Sequence, residues 1–139
     1  MEIKNRDLVN IMSILEKYGN LKLPQRISYA ITKNGMILSK DYNIYEAELK
    51  KIFSQYNKYM LKDSEGNIRC NSIGVPLVDE EHSVEFNDCI SELLDIEIKV
   101  EFYYIPDSLF EYDDNSCKYD ALSAKDIIIL QSILCKNED

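Results

Sequence analysis

The sequence predicts a mainly helical α+β fold, in a single domain that spans residues 1–139. Three observations carry this prediction. Apolar residues recur every three or four positions over most of the first 60 residues, charged and apolar residues alternate along 95–103, and glycine and proline are rare. The expected elements are a short N-terminal helix, a long second helix, an acidic third helix, a small two- or three-stranded antiparallel sheet and a C-terminal helix.

The first 24 residues predict a short helix with a defined start and end. Asn5 or Asp7 is suited to cap it, and its apolar stripe runs to Tyr18. Gly19 is expected to end the helix, because glycine adopts left-handed backbone geometry at little cost. Pro24 suits the first turn of the helix that follows.

The second helix is predicted to be long, since a stripe of helical spacing continues from Pro24 to Met60 and corresponds to about 54 Å. Asn34 and Gly35 leave open whether this helix is continuous or kinked, because glycine costs about 1 kcal/mol in a helix interior. Four tyrosines lie on the stripe, namely Tyr42, Tyr45, Tyr56 and Tyr59. These rings either pack in the core or form a surface for a partner or a second copy of the chain.

The chain between the second and third helices predicts turns and irregular structure. Residues 63–67 are rich in turn formers but lack the acidic spacing of a calcium-binding loop. Residues 68–78, with Gly74 and Pro76, favour an irregular or edge strand, and no internal repeat is expected. Asp79 then begins the acidic helix, whose predicted apolar face consists of Val84, Ile90, Leu93 and Leu94, with Phe86 at its flank.

Residues 95–103 give the clearest local signal, because their alternation is typical of a half-buried strand. The core face is predicted to hold Ile96, Ile98, Val100 and Phe102. The partner strand is either 68–78 or residues 1–4. A short helical turn over 106–112 and a polar loop over 113–120 should follow. The last helix is predicted to be capped by Ser123 and to carry Ile128, Ile129, Ile133 and Leu134.

No sequence motif indicates catalysis or a cofactor, so we expect a protein that is not an enzyme and binds no cofactor. His82 is the only histidine and is predicted to be an exposed surface residue. The cysteines lack the short spacing of a zinc site and are expected to be free, reduced thiols: Cys70, Cys89, Cys117 and Cys135. We expect no metal site, although the carboxylates of Asp113, Asp114 and Asp120 leave a loop site for a hard cation open.

Charge is distributed unevenly along the chain, whose net charge is −9. Residues 1–60 contain ten basic and six acidic residues, whereas residues 61–139 contain six basic and nineteen acidic ones. An acidic half disfavours direct binding of nucleic acid, because such binding requires cations that neutralise phosphates. It favours a partner protein with a basic surface, unless the acids only solvate the molecule or face basic residues within one chain or across a dimer.

Two further features bear on location. The longest apolar run has four residues, far below the roughly 18 that a membrane span requires. The N-terminal segment carries acidic residues and leads into a helix, which is not typical of a signal peptide. The expected protein is therefore soluble and intracellular, without membrane contact.

Four stretches together resemble small phage and prophage proteins of low-GC Gram-positive bacteria, a family without an assigned function. They are Lys4–Val9, Leu21–Asn34, Tyr45–Ile52 and Leu93–Ile98. The resemblance covers nearly the whole chain, but its motifs mark helix caps and joins and none is catalytic. It implies a viral origin, an action in the cytoplasm of the host cell, and a role in binding.

The function hypothesis is a non-enzymatic inhibitor of a host defence effector, similar to anti-CRISPR proteins, that mimics nucleic acid with its carboxylates. The alternative is a structural or assembly protein of the phage tail region that oligomerises through its long helix. The residues predicted to contact a basic partner are Glu85, Asp88, Glu92, Glu97, Glu101, Asp113 and Asp114. The tyrosines Tyr42, Tyr45, Tyr56 and Tyr59 are the candidates for an oligomer or assembly contact.

Overall fold

The computed structural model describes residues 1–112 and 118–136, and its architecture confirms a mainly helical α+β fold. The helices are α1 (Asn5–Gly19), α2 (Gln25–Tyr56), α3 (Glu80–Leu94) and α4 (Ala124–Leu134), and the strands are β1 (Glu2–Lys4) and β2 (Glu97–Lys99). Two short 3₁₀ turns occupy Asn57–Tyr59 and Asp107–Phe110. The strands pair antiparallel, with Ile3 opposite Ile98.

Helix α2 is continuous and connects two hydrophobic clusters. It passes through Asn34 and Gly35 without a break and measures about 48 Å. Its N-terminal half packs against α1, α4 and the chain around Ile105 and Phe110, in the larger cluster. Its C-terminal half contributes Tyr56 to a smaller cluster on α3. Both clusters therefore depend on one helix.

Asn34 fixes the chain after β2 to this helix. The residue is 0% exposed, and its side-chain Nδ2 donates to the carbonyl oxygens of Ala30 and Tyr103, each at 2.9 Å. The backbone N–H of Tyr103 donates in turn to Asn34 Oδ1 at 2.8 Å. One amide thus satisfies both backbone groups of Tyr103, as a neighbouring strand would.

The sheet is shorter than the alternation of 95–103 predicts. Of the two candidate partner strands, the N-terminal residues are the ones that pair. Beyond β2, the N–H of Val100 donates to the carbonyl of Met1 at 2.9 Å, and the Val100 carbonyl accepts from the Met1 amino group at 3.2 Å. Ile96, predicted on the core face, is 51% exposed because it lies in the turn between α3 and β2.

The ends of the first two helices differ in detail from the prediction. Lys4 occupies the N-cap position of α1, and its N–H donates to the carboxylate of Asp7 at 3.2 Å. Asn5 is instead buried, and its side chain donates to the carbonyl of Leu93 at 2.9 Å, which connects the start of α1 to the end of α3. Gly19 is the last residue of α1, and Pro24 precedes α2 as its N-cap.

The predicted apolar face of α3 was wrong at two positions. Phe86, expected at the flank, is 1% exposed and lies at the centre of the smaller cluster, whereas Val84 is 70% exposed. The inward residues are spaced by three or four positions, as one face of a helix requires, and they are Phe86, Cys89, Ile90 and Leu93. Val84 lies nearly opposite Phe86, since successive residues are rotated by about 100°.

Helix α4 begins with a capping box and is attached to α1. Ser123 Oγ accepts from the N–H of Asp126 at 3.1 Å, and the Asp126 carboxylate accepts from the N–H of Ser123 at 3.1 Å. The same carboxylate accepts from the hydroxyl of Tyr18 at 2.5 Å. Leu130, Ile133 and Leu134 are buried, whereas Ile128, predicted on the inner face, is largely exposed.

Asn34→Ala should lower the free energy of unfolding by about 2–4 kcal/mol, because it leaves two backbone groups of Tyr103 without partners. Urea denaturation monitored by circular dichroism measures this change. Asn43→Ala, at an exposed position of the same helix, is the matched control and should change stability by about 0.5 kcal/mol or less. Equal midpoints for the two variants would contradict the assigned role of Asn34.

The bond between Tyr18 and Asp126 should make stability depend on pH. The Tyr18 hydroxyl, with help from Ser123, lowers the pKa of Asp126, so the unfolded chain binds this proton more tightly than the folded one. The stabilisation is therefore complete above the unfolded pKa of about 3.9 and is lost as the pH falls through the folded pKa. Tyr18→Phe should flatten this acid-side dependence in denaturation series, and an unchanged slope would refute the assignment.

Candidate protein-binding site

Helix α3 presents a continuous row of carboxylates to solvent. Glu81, Glu85, Asp88 and Glu92 are exposed and follow one another at intervals of four, three and four residues. This spacing places them on one side of the helix, with one negative charge about every 5.5 Å along its axis. We call these four residues the acidic row. Glu81 was not among the predicted contact residues, although its spacing from Glu85 identifies it in the sequence.

Packing and capping fix the orientation of the acidic row. Phe86 and Leu93 are buried on the opposite side of α3, so the carboxylates must face outward. The Asp79 side chain accepts from the N–H of His82 at 3.0 Å and caps the first turn. The helix is therefore a defined platform for its charges.

The acidic row has no ion pair within the described chain. Asp95, at the end of the same helix, differs because its carboxylate lies 2.6 Å from Arg6 and 3.9 Å from Lys4. The hydrogen bond from Arg6 lowers the pKa of Asp95. Basic residues of the N-terminal segment thus neutralise the end of α3 and leave the charges of the acidic row to solvent.

The other predicted contact acids do not extend the acidic row. Glu97 lies on β2 directly opposite Lys4 in the antiparallel register. Glu101 borders a different concavity, together with Met1 and Lys33. Asp113 and Asp114 lie outside the described residues. The structure therefore brings Glu85, Asp88 and Glu92 together, with Glu81, and separates them from the two acids of the sheet region.

The tyrosine stripe of α2 faces the interior of its own chain. Tyr45 and Tyr56 are buried, and Tyr42 and Tyr59 are half-buried. The Tyr56 ring lies 5.3 Å from that of Phe86, in an edge-on arrangement. Burial, followed by hydrogen bonds involving Glu85 and Cys89, raises the pKa of Tyr56, so its hydroxyl stays neutral. Tyr56 thus joins α2 to α3, and Tyr42 packs against the larger cluster, so the stripe offers little free surface to another molecule.

Residues 60–78 form a projection that we call the finger, and it contains a repeat that sequence analysis missed. In its first turn, Asp63 Oδ1 accepts from the N–H groups of Glu65 and Asn67 at 2.9 and 3.0 Å. In its second turn, Asn71 Oδ1 accepts from Ile73 and Val75, each at 3.0 Å. Gly66 and Gly74 have φ of +86° and +88°. The signal was the recurrence of Asp/Asn-Ser-x-Gly after eight residues.

Three short segments close the finger by a ring of backbone hydrogen bonds. The N–H of Leu61 donates to Leu77, that of Leu77 to Arg69, and that of Arg69 to Leu61, at 2.8–2.9 Å. Met60 and Val78, at its base, belong to the smaller hydrophobic cluster. Ile73, at the second turn, is 82% exposed. The equivalent position of the first turn is occupied by Glu65, so the fold does not require an apolar residue there.

His82 is half-buried, which corrects the expectation of an exposed histidine. Its ring stacks on Tyr59 with 3.5 Å between centroids, and its Nδ1 lies 2.7 Å from Asp79 Oδ1. The N–H of Asp79 donates to the carbonyl of Tyr59 at 2.9 Å. The histidine therefore joins the base of the finger to the first turn of α3.

Thiols, metals and membranes add no further site within the described residues. Cys70, Cys89 and Cys135 are free, and Cys117 lies outside this part of the chain. Among residues 1–112 and 118–136, no three His, Cys, Asp or Glu side chains are grouped so that they could hold a metal ion. The same residues include no helix that is both long enough and apolar enough to cross a membrane.

Comparison with protein-family models, with curated protein sequences and with solved structures gave no match to this chain. The acidic row, the finger and the packing of α2 are therefore interpreted from their own geometry.

Tyr45→Ala should destabilise the fold by about 3–5 kcal/mol, because the ring is buried between α2 and its neighbours. Chemical denaturation measures the loss, and sedimentation at matched protein and salt concentration should give the same mass as the wild type. Ile44→Ala, at the adjacent exposed position, is the control and should cost about 1 kcal/mol or less. A changed mass with unchanged stability would instead assign Tyr45 to an intermolecular contact.

Proposed function

We propose that this chain is a non-enzymatic binding protein that uses the acidic row of α3 to occupy a basic surface of another protein. The most concrete form of the proposal is a phage-encoded inhibitor of a host defence effector, acting in the host cytoplasm. Its carboxylates take the place of the phosphates of a nucleic acid. The acidic row, which has no ion pair within the described chain, is the observation that carries the proposal.

The spacing of the acidic row supports mimicry of a nucleic acid strand. The carboxylates recur about every 5.5 Å along α3, and the phosphates of one strand of B-DNA recur about every 3.4 Å along its axis. The two spacings are of the same order. A groove of Lys and Arg that binds a nucleic acid backbone can therefore contact several carboxylates at once. Because the helix is packed and capped, little conformational entropy is lost when it binds.

The surroundings of the row also support binding to a basic surface. Residues 79–120 contain fourteen acidic residues and only two lysines, so the field around α3 attracts a cationic partner over a distance. The exposed Val84 lies beside the carboxylates and offers an apolar contact at the edge of this surface. The resemblance to small phage proteins supports the viral origin.

The carboxyl groups whose pKa is lowered have structural partners, which supports a binding role rather than catalysis. Arg6 lowers the pKa of Asp95, and Tyr18 lowers the pKa of Asp126. Each pair joins elements that are distant in sequence, and the acidic row contains neither carboxyl group.

The test is capture of partners by the tagged protein from lysate of infected host cells, followed by mass spectrometry. We expect recovery of a defence effector with a nucleic-acid-binding site, in amounts that fall as salt is raised from about 0.1 M to about 1 M. The combined variant Glu85→Lys, Asp88→Lys and Glu92→Lys should weaken binding to the recovered effector by about 100-fold or more, and its helical circular dichroism should be unchanged. Added wild-type protein should also displace nucleic acid from that effector.

The matched control reverses three exposed acids outside α3, namely Glu46, Glu65 and Glu111, and alters the net charge equally. This control should bind nearly as well as the wild type. Equal losses in both variants would show that only total charge matters and would contradict a defined site on α3. Recovery of tail or assembly proteins in place of an effector would favour the assembly alternative.

A further inference from the structure

The outward face of α2 is cationic along most of its length. Four exposed lysines lie along it, namely Lys33, Lys40, Lys50 and Lys51. With Met36 taken as the centre of the exposed face, Lys40 and Lys50 lie within about 40° of it on either side. The acids of this helix, Asp41, Glu46 and Glu48, lie about 80° or more from that centre.

Two cations of this face have neighbours within their own chain, and two central ones project freely. Lys51 pairs with Glu48 at 2.8 Å, and Lys33 lies over the rings of Tyr29 and Tyr103 at 5.9 and 5.4 Å. Lys40 and Lys50 have no ion pair with any described residue. Met36, which is 72% exposed, provides apolar surface beside them. Charge and exposed apolar area thus coincide on this face, as they do around Val84 on α3.

We infer that the cationic face of α2 binds the acidic row of α3 in a second copy of this chain. The two surfaces are complementary in charge and similar in length, since the free lysines Lys40 and Lys50 lie about 15 Å apart and the acidic row covers about 16 Å. Each copy carries both surfaces, and they point to different sides of the fold because α2 and α3 pack on each other through Tyr56 and Phe86. Copies therefore associate head to tail, with the acidic row of one copy on the cationic face of the next. Met36 of one copy and Val84 of the other add apolar area to each contact.

This inference shares the acidic row with the proposed function and assigns that row a regulation. When a second copy covers the acidic row, that row is not available to another protein. Self-association therefore competes with partner binding. The test needs only the purified chain, and its failure leaves the proposed function standing. Conversely, loss of the effector interaction has no bearing on the mass of the purified protein.

The experiment is sedimentation velocity of the purified protein at two salt concentrations. The wild type should sediment as pairs and larger species at about 0.05 M salt and as single chains at about 1 M, because salt screens attraction between the faces. Lys40→Glu with Lys50→Glu, and separately Asp88→Lys with Glu92→Lys, should each weaken association by about tenfold or more at low salt. Circular dichroism checks that each variant is folded.

The variants of α3 distinguish attraction between the two faces from the general repulsion between two negatively charged chains. Asp88→Lys with Glu92→Lys makes the net charge of −9 less negative, so general repulsion alone would strengthen association. An equimolar mixture of the two variants should associate again, because the reversed α2 of one fits the reversed α3 of the other. Lys62→Glu with Lys125→Glu, exposed residues of the finger and α4, is the control and should associate like the wild type.

Three results would overturn the inference. They are single chains at both salt concentrations, association that grows as salt is added, and a mixture that fails to associate although both variants are folded.

Discussion

The buried amide of Asn34 is the constraint on which the arrangement of the larger cluster depends. It lies in the N-terminal third of α2, and it bonds both backbone groups of Tyr103, so the chain that leaves β2 must run along this helix. That path places Ile105 and Phe110 in the larger cluster, where they meet α1 and α4. At the other end of β2, Asn5 joins α1 to the last turn of α3. Two asparagines therefore connect elements that hydrophobic packing alone would leave free to slide.

A continuous α2 also separates the charges of the molecule. Because its buried face packs on both clusters, its opposite face projects its lysines into solvent along the whole length of the fold. Helix α3 likewise buries its apolar side, with Phe86 and Leu93, and exposes carboxylates on another side. The uneven charge of the sequence thus becomes two surfaces of opposite sign, each fixed by the burial of the residues behind it.

The sequence predicted the helices and the sheet, because periodicity reports which side of an element is buried. It also limited the partner of the strand over 95–103 to two candidate segments. It failed where a long-range contact decides the outcome. Asn34 next to Gly35 suggests a kink, whereas α2 is continuous and the Asn34 amide bonds the distant Tyr103. The central position of Phe86 depends on the direction from which α2 approaches α3. The acidic row was partly predictable, since its spacing is local, whereas the separation of Glu97 and Glu101 from it depends on tertiary structure.

The ring of hydrogen bonds in the finger has a consequence for how this protein can change. Leu61, Arg69 and Leu77 bond one another through their backbones, and Asp63 and Asn71 hold the two turns through side chains and backbone. Most other side chains of the finger touch solvent and support nothing beneath them. Gly66 and Gly74 have positive φ and favour glycine, but substitutions at the other tip positions are nearly neutral for folding. The finger is a site where sequence can diverge rapidly between variants of this protein while the helices behind it stay the same.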